Sequence, residues 1–223
     1  MQFEPNNIYH IYNRGNNSQR IFFIRDNYLF FLKKLQTYIT PFADILAWCL
    51  MPNHFHLMVY VNQITVSVNS PGSSKQVSVS HQLTGHGSSE QVSYSHQLTK
   101  LTKERSINDS ISILLRSYTR AINNQESRTG SLFQHRTKAI CISDTSGVTP
   151  AWFQTNYGTI INVDDPDKAY PQSCFNYIHM NPVNAGLSNN PINWEFSSFP
   201  DYFGIRNGKL INRERANEFG LHI

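Results

Sequence analysis

The chain has 223 residues with 39% hydrophobic and 13% aromatic content, enough for one globular domain with a core of its own. Its formal net charge of +4 is compatible with a polyanionic partner but does not require one. The three cysteines are too few and too far apart for a disulfide framework or a zinc cluster. No segment reaches about 18 consecutive apolar residues and no signal peptide is visible, so we expect a cytoplasmic protein without membrane spans.

Hydrophobic periodicity predicts a series of strands and helices. In chain order they are a strand at 8–14, a helix at 26–40, strands at 44–51 and 54–61, a helix at 107–122, a strand at 138–142 and a helix at 171–180. We expect Asp26 to cap the first helix and Pro41 to end it. Pro171 suits the first turn of the last helix, and Pro182 its end.

Two polar stretches interrupt this pattern. Residues 62–103 are rich in Ser, Gln, Val and Thr and contain a near-perfect internal repeat, so we interpret them as a duplicated, mobile insertion. Residues 143–165 carry Gly, Pro and paired Asp residues and are interpreted as a second insertion. The predicted organisation is therefore a single domain over 1–223 that holds both insertions, with a C-terminal aromatic tail over 187–223 that packs back on it.

His54 and His56 lie two residues apart in the apolar run 54–61. Successive side chains of a strand point to opposite faces, so both imidazoles share one face while the apolar residues between them point into a core. Two imidazoles side by side can hold one metal ion. A purely structural pair is the alternative that this pattern leaves open. His10, on the first strand, either orients a group of such a site or is a simple sheet histidine.

Tyr177 and Asn181 lie four residues apart on the last predicted helix and so share a face. A tyrosine with a free pKa of about 10 is a poor nucleophile at neutral pH, but a metal ion that polarises a phosphodiester lessens that handicap. An amide oxygen one turn away can complete the coordination of that ion. Taken alone, the pattern is more typical of a core tyrosine and a helix-ending asparagine. Tyr118 is the rival nucleophile, although its spacing places it on the apolar stripe of its helix.

Five sequence motifs are located outside the two insertions. They are YHIYNRG at 9–15, WCLMPNHFHL at 48–57, GSLFQHR at 130–136, YIHMNPVNAG at 177–186 and WEFSSF at 194–199. In this order they resemble the single-tyrosine HUH transposases, and within them the REP-associated tyrosine transposases. The chain departs from that pattern at Thr137, where the family often has an aromatic residue, and in the length of its two insertions.

The resemblance implies an α+β fold with a ferredoxin-like antiparallel sheet and helices packed on one face. It implies a site in which His54, His56 and Asn181 bind Mg²⁺ or Mn²⁺ and Tyr177 is the nucleophile. The implied reaction is attack on a phosphodiester of single-stranded or hairpin DNA, which leaves a 5′-phosphotyrosine link and a free 3′-OH. Relatives occur as monomers and as domain-swapped homodimers, in which the tyrosine helix serves the partner's histidines.

Basic residues near turns beside the proposed sheet are candidate phosphate contacts. They are Arg14, Arg20, Arg128, Arg136 and Lys138. A solvated charge is the alternative for each of them.

Two rival functions remain: a non-catalytic relative that only binds hairpin nucleic acid, and a replication initiator or relaxase with the same core. The latter usually carries an ATPase or helicase region, and no Walker-type Gly-rich motif is present in the chain.

Overall fold

The structure is a computed structural model, and it describes residues 1–69, 102–143, 152–155, 158–161 and 166–223. The elements are, in chain order, β1 (Ile8–Arg14), α1 (Arg25–Tyr38), β2 (Ala43–Met51), β3 (His54–Val61), β4 (Thr65–Asn69), β5 (Thr102–Ser106), α2 (Ile107–Gln125), β6 (Lys138–Cys141), β7 (Trp152–Thr155), β8 (Gly158–Ile161), α3 (Pro166–Asn184), α4 (Phe199–Tyr202) and α5 (Arg213–Glu218). None of the described helices is both long and apolar enough to cross a bilayer.

The central sheet has four strands in the spatial order β2-β3-β1-β6. Strand β1 pairs antiparallel with both β3 and β6, and β2 and β3 form an antiparallel hairpin. Helix α1 connects β1 to β2, and α2 lies between β3 and β6 in the chain, so each helix crosses between strands that are not direct neighbours. This connectivity is the ferredoxin-like arrangement, and the predicted fold class is confirmed.

The sheet carries an apolar layer on each face. Leu57 and Val59 of β3 point into the layer that contains side chains of α1 and α2. Met58, between them, points to the opposite layer, where Phe175 and Ile178 of α3 are fully buried. Helices α1 and α2 thus share one face as predicted, and α3 lies on the face that receives the even-numbered residues of β3.

Helix α1 is not capped by Asp26, because Asn27 takes that role. The Oδ1 atom of Asn27 accepts hydrogen bonds from the backbone N–H groups of Phe23 at 3.0 Å and Ile24 at 3.2 Å. Its Nδ2 donates to Gln125 Oε1 at the end of α2, at 2.8 Å. The prediction of Asp26 as the N-cap is therefore wrong. Asp26 lies in the first turn, where its charge is favourable near the positive end of the helix dipole.

Helix α3 is longer than predicted at both ends. Pro171, expected in its first turn, and Pro182, expected as its stop, both lie inside it. Pro182 stands in the last turn, so its missing N–H removes a hydrogen bond only near the end. The helix closes after it: the N–H of Leu187 bonds to the Pro182 carbonyl at 2.9 Å, and Gly186 has a φ of 68°. Asn181 therefore sits on a regular helical turn.

Both predicted insertions contain described β-structure. Strands β4 and β5 form an antiparallel ribbon that leads directly into α2, and β7 and β8 form a second ribbon. Ser106, the last residue of β5, caps α2 because its Oγ accepts a hydrogen bond from the N–H of Asp109 at 3.1 Å. The internal repeat lies outside the described residues, and its interpretation as a mobile insertion stays a prediction.

The C-terminal segment covers the outer edge of β2 and holds α3 against the sheet. The N–H of Leu50 donates to the carbonyl of Phe196 at 2.8 Å. Ser198 Oγ accepts from the N–H of Trp48 at 2.9 Å and lies 2.7 Å from Nε2 of the buried His179 on α3. These bonds satisfy an edge that would otherwise expose unpaired backbone groups.

Replacing Asn27 by Ala is expected to lower the free energy of unfolding by about 2–3 kcal/mol, because two backbone N–H groups lose their acceptor and the link to α2 is lost. Gln125→Ala is the matched control: it removes the link to α2 and leaves both N–H groups capped, at a cost below about 1 kcal/mol. Urea denaturation followed by circular dichroism measures both variants. Equal losses would contradict the capping role of Asn27.

Candidate metal and tyrosine site

Strand β3 places His54 and His56 on the sheet face that α3 covers. His56 is 5% exposed and lies in register with Tyr12 of β1 and Cys49 of β2. His54 lies at the start of the strand, in register with Arg14. The two imidazole centroids are 5.0 Å apart, with ring planes at 89°. The pleat of the strand therefore brings the two rings together at the end of β3 next to the hairpin turn.

Helix α3 brings Tyr177 and Asn181 to the same place. The Tyr177 ring stands at 83° to the His56 ring, with centroids 5.4 Å apart. Asn181 is 8% exposed, and its Oδ1 lies 3.5 Å from His54 Nε2. Its Nδ2 donates to the Tyr177 carbonyl at 3.0 Å, and this bond orients the amide so that the oxygen faces the histidine. One chain supplies all four side chains.

Each of the two histidines has a hydrogen-bond partner at Nδ1. Asn53 Oδ1 lies 2.6 Å from His54 Nδ1, and the Asn53 amide is oriented by its Nδ2, which donates to the Ser18 carbonyl at 3.4 Å. Because an amide oxygen only accepts, His54 donates from Nδ1 and keeps a lone pair on Nε2. His10 Nε2 lies 2.9 Å from His56 Nδ1 in a buried contact. The tautomer in which His56 donates to His10 leaves its Nε2 as an acceptor too.

Burial keeps these imidazoles neutral. It lowers the pKa of His10 to about 4, and it lowers the pKa of His56 well below its usual value, with His10 and His54 adding to the effect on His56. The pKa of His54 is also lowered, mainly by burial, with the contact to Asn181 opposing the shift and Arg14 adding to it. The neutral imidazole is the form that binds a metal ion, so no proton has to be displaced at neutral pH.

These donors fit a divalent cation. His56 Nε2 is buried and has no hydrogen-bond partner among the described residues. His54 Nε2 and Asn181 Oδ1 are two acceptors 3.5 Å apart, close to the separation of two ligands that bind one ion through bonds of about 2.1 Å. Among the described residues, no cluster of three or more His, Cys, Asp or Glu side chains is suited to a metal ion. The amide oxygen of Asn181 is therefore the third donor that this site offers.

The predicted phosphate contacts fall into two sets. Arg14 and Arg20 line a cleft of about 450 Å³ beside His54. A larger groove of about 1610 Å³ between α2 and the edge strand β6 is lined by Arg128, Arg136 and Lys138. The structure thus places two of the five basic residues beside the histidine pair and the other three along a separate surface.

Tyr118 and His179 have structural roles. Tyr118, on α2, is fully buried in the apolar layer that α1 and α2 form with the sheet. Its hydroxyl donates to the Ile21 carbonyl at 2.8 Å, and burial raises the pKa of its phenol. His179 is 1% exposed and bonded to Ser198 Oγ, and burial lowers its pKa to about 3. Tyr118 lies on the opposite side of the sheet from the histidine pair, which excludes it as a nucleophile there.

Several site residues are not singled out by the sequence pattern. Asn53 reads only as a turn residue, yet the tight turn lets its side chain reach the ring of the next residue, His54. His10 has an open role in the sequence, and its place on the same sheet face as His56 is visible only once β1 and β3 are paired. Arg116 and Arg120 also line the larger groove, and their spacing of four residues on α2 is the signal that they share a face.

Comparison with known proteins supports the fold. No family model and no curated protein matches the chain. A solved structure of a REP-associated tyrosine transposase bound to a REP hairpin matches it with a TM-score of 0.51 and 14% sequence identity, over 95% of this chain and 86% of that one. At this level of identity the match shows a shared fold. The chain is therefore an α+β protein with the architecture of that transposase.

The full-length protein is expected to bind Mn²⁺, and His56→Ala and Asn181→Ala are each expected to weaken that binding at least about tenfold, because each removes a converging donor. The control is His222→Ala, which removes an exposed histidine near the C-terminus. Titration followed by the electron paramagnetic resonance signal of free Mn²⁺ measures the affinities, and unfolding midpoints verify that the variants fold. Similar affinities for all four proteins would contradict the site.

Proposed function

We propose that this protein is a metal-dependent DNA nickase and strand transferase of the transposase type, acting on single-stranded or hairpin DNA. The observation that carries the proposal is the position of Tyr177 against His56, next to the His54–Asn181 pair, within one chain. The fold shared with a tyrosine transposase that was solved with a hairpin supports the same reaction class. Because one chain carries every group of the site, we propose that a monomer suffices for the chemistry.

Three uncharged donors would hold the ion: Nε2 of His54, Nε2 of His56 and Oδ1 of Asn181. We propose Mg²⁺ or Mn²⁺, since an amide oxygen suits both, and the two imidazole nitrogens favour Mn²⁺. When bound, the ion polarises a non-bridging phosphate oxygen and makes the phosphorus more electrophilic. Because no donor is charged, the cation's full charge is left for the phosphodiester to balance. Binding of the ion and of DNA should therefore reinforce each other.

Tyr177 is the proposed nucleophile. Its ring is half-buried and packs edge-on against the imidazoles of His56 and His10, with centroids 5.4 Å and 6.2 Å away, while its hydroxyl makes no hydrogen bond to any described residue. In the proposed step the phenolic oxygen forms a bond to phosphorus and the bond between phosphorus and O3′ breaks. The phenol loses a proton to solvent, and the released 3′-oxygen gains one. The DNA remains attached through a 5′-phosphotyrosine link, and attack by another 3′-OH reverses the step without a nucleotide cofactor.

Arg14 and Arg20 are proposed to hold the strand beside the scissile phosphate. Both side chains are exposed, and the cleft that they line also contains His54. A cation beside a phosphodiester backbone gains counterion-release energy and fixes its path without reading base sequence. These contacts would place the reacting phosphate next to the donor set.

The substitution Tyr177→Phe is expected to abolish formation of a covalent protein–DNA adduct, because it removes the attacking oxygen and leaves the ring in place. Incubation with a labelled single-stranded oligonucleotide and Mn²⁺, followed by denaturing electrophoresis, measures the adduct. The variant should keep the Mn²⁺ and DNA affinities of the wild type. Tyr118→Phe is the matched control and should retain the adduct.

An adduct that persists in Tyr177→Phe would refute the proposed nucleophile. A wild-type protein that binds hairpin DNA tightly but forms no adduct with any metal ion would instead identify a non-catalytic hairpin-binding relative. The two results are distinguishable in the same experiment, because binding is measured before denaturation and the adduct after it.

A further inference from the structure

His10 is a buried polar side chain beside the candidate site. It lies on β1, is 8% exposed, and places its Nε2 2.9 Å from Nδ1 of His56. The planes of the two rings differ by only 25°. The N–H and the lone pair of a neutral imidazole both lie in the ring plane, so this near-coplanar arrangement favours a well-directed hydrogen bond. The contact is therefore a specific bond between two side chains and more than packing of two rings.

His10 is an outer partner of the proposed ion and not a ligand of it. The two nitrogens of an imidazole point away from each other, so a group bonded to Nδ1 of His56 lies on the far side of that ring from Nε2. Among the described residues, no three His, Cys, Asp or Glu side chains form a group suited to a metal ion, so His10 does not complete such a group with His54 and His56. Any effect of His10 on the ion must therefore pass through His56.

The outer partners of both histidines are uncharged. Asn53 provides an amide oxygen at His54, and His10 provides a buried imidazole at His56. No Asp or Glu in the described part of the chain forms a hydrogen bond with His10, His54 or His56. A carboxylate as outer partner raises the basicity of the ligating nitrogen. Because neutral groups take its place here, more of the cation's charge is left for the substrate.

The His10 ring also contacts the proposed nucleophile. It packs edge-on against Tyr177, with centroids 6.2 Å apart and ring planes at 75°. On β1 itself it stacks on Tyr12, with centroids 4.8 Å apart. One ring thus contacts both a donor of the ion and the side chain that attacks. Substitutions that remove the ring are therefore best compared with one another, since all of them lose the contact with Tyr177 equally.

We propose that His10 is a positioning residue of this site: its ring accepts a hydrogen bond from Nδ1 of His56, which leaves Nε2 of His56 free for the ion, and it adds no negative charge. The inference rests on the proposed function and assigns a role to a residue outside the donor set. A neutral acceptor at this position is then required for tight binding of the ion. A charged acceptor would hold the ion more tightly and slow the reaction.

The test compares three variants that lack the ring. His10→Gln keeps a neutral acceptor of similar reach, His10→Leu removes the acceptor, and His10→Glu replaces it by a carboxylate. Proton–nitrogen correlation NMR of the metal-free, full-length protein with isotope-labelled histidine identifies the protonated ring nitrogen of His56. Electron paramagnetic resonance measures the Mn²⁺ affinity, and denaturing electrophoresis measures the rate of adduct formation at saturating Mn²⁺. Unfolding midpoints verify that each variant folds, and His222→Leu is the control for loss of an exposed histidine.

In the wild type, His56 should carry its proton on Nδ1, and His222→Leu should match the wild type in every measurement. His10→Leu should bind Mn²⁺ at least about tenfold more weakly than His10→Gln. His10→Glu should bind Mn²⁺ about tenfold more tightly than His10→Gln and form the adduct about tenfold more slowly. A merely structural histidine would instead lower affinity and rate together. A wild-type His56 protonated on Nε2, or equal Mn²⁺ affinities of the Gln and Leu variants, would overturn the inference.

Failure of the inference and failure of the proposed function give different results. If the wild type forms the tyrosine adduct but the Gln and Leu variants bind Mn²⁺ alike, His10 is not a positioning residue and the reaction stands. If the wild type forms no adduct with any metal ion, the proposed function fails. The NMR and affinity measurements then still decide whether His10 directs His56 towards an ion, because neither of them depends on the reaction.

Discussion

The buried hydrogen bond between His10 and His56 is the constraint on which the candidate site depends. It joins a side chain of β1 to one of β3 and holds the His56 ring so that its Nε2 has no partner in the part of the chain that the structure describes. Asn53 does the same for His54 from the hairpin turn. Both hydrogen bonds are made by residues of the sheet and its hairpin turn. The orientation of the Nε2 atoms of His54 and His56 is therefore set independently of α3. Outer partners of this kind give ligating histidines their tautomer and orientation.

Helix α3 supplies Tyr177 and Asn181, and the two faces of the sheet differ in composition. The face under α1 and α2 carries a continuous apolar layer that includes the fully buried Tyr118. The opposite face is free to combine apolar contacts, such as Phe175 under α3, with the polar groups of the site. The buried His179–Ser198 bond holds α3 in place, so that Tyr177 is presented to the histidines from a fixed helix. The apolar layer under α1 and α2 and the candidate site thus lie on opposite faces of the sheet.

Local sequence patterns predict the features of the site that depend on the geometry of a single strand or helix. Alternation along β3 places His54 and His56 on one face, and a spacing of four residues places Tyr177 and Asn181 on one side of a helix. The same patterns mislead where other contacts decide. Asn27, in place of Asp26, accepts from the N–H groups that precede α1, and it also bonds to Gln125 of α2. Helix α3 continues through Pro182 and is closed by the bond from the Leu187 N–H to the Pro182 carbonyl. The docking of α3 on β3 and the groove between α2 and β6 follow from tertiary packing, which no local period encodes. For that part of the site, resemblance to a known family is the sequence signal that remains.

Pulsed electron paramagnetic resonance of Mn²⁺ bound to the full-length protein tests the central claim most directly. We predict hyperfine couplings from two imidazole nitrogens, one of which is lost in His54→Ala while the other remains. Bound Mn²⁺ without nitrogen couplings, or couplings unchanged in that variant, would contradict a shared ion between His54 and His56. Such a result would remove the reason for Tyr177 to act at this place in the fold.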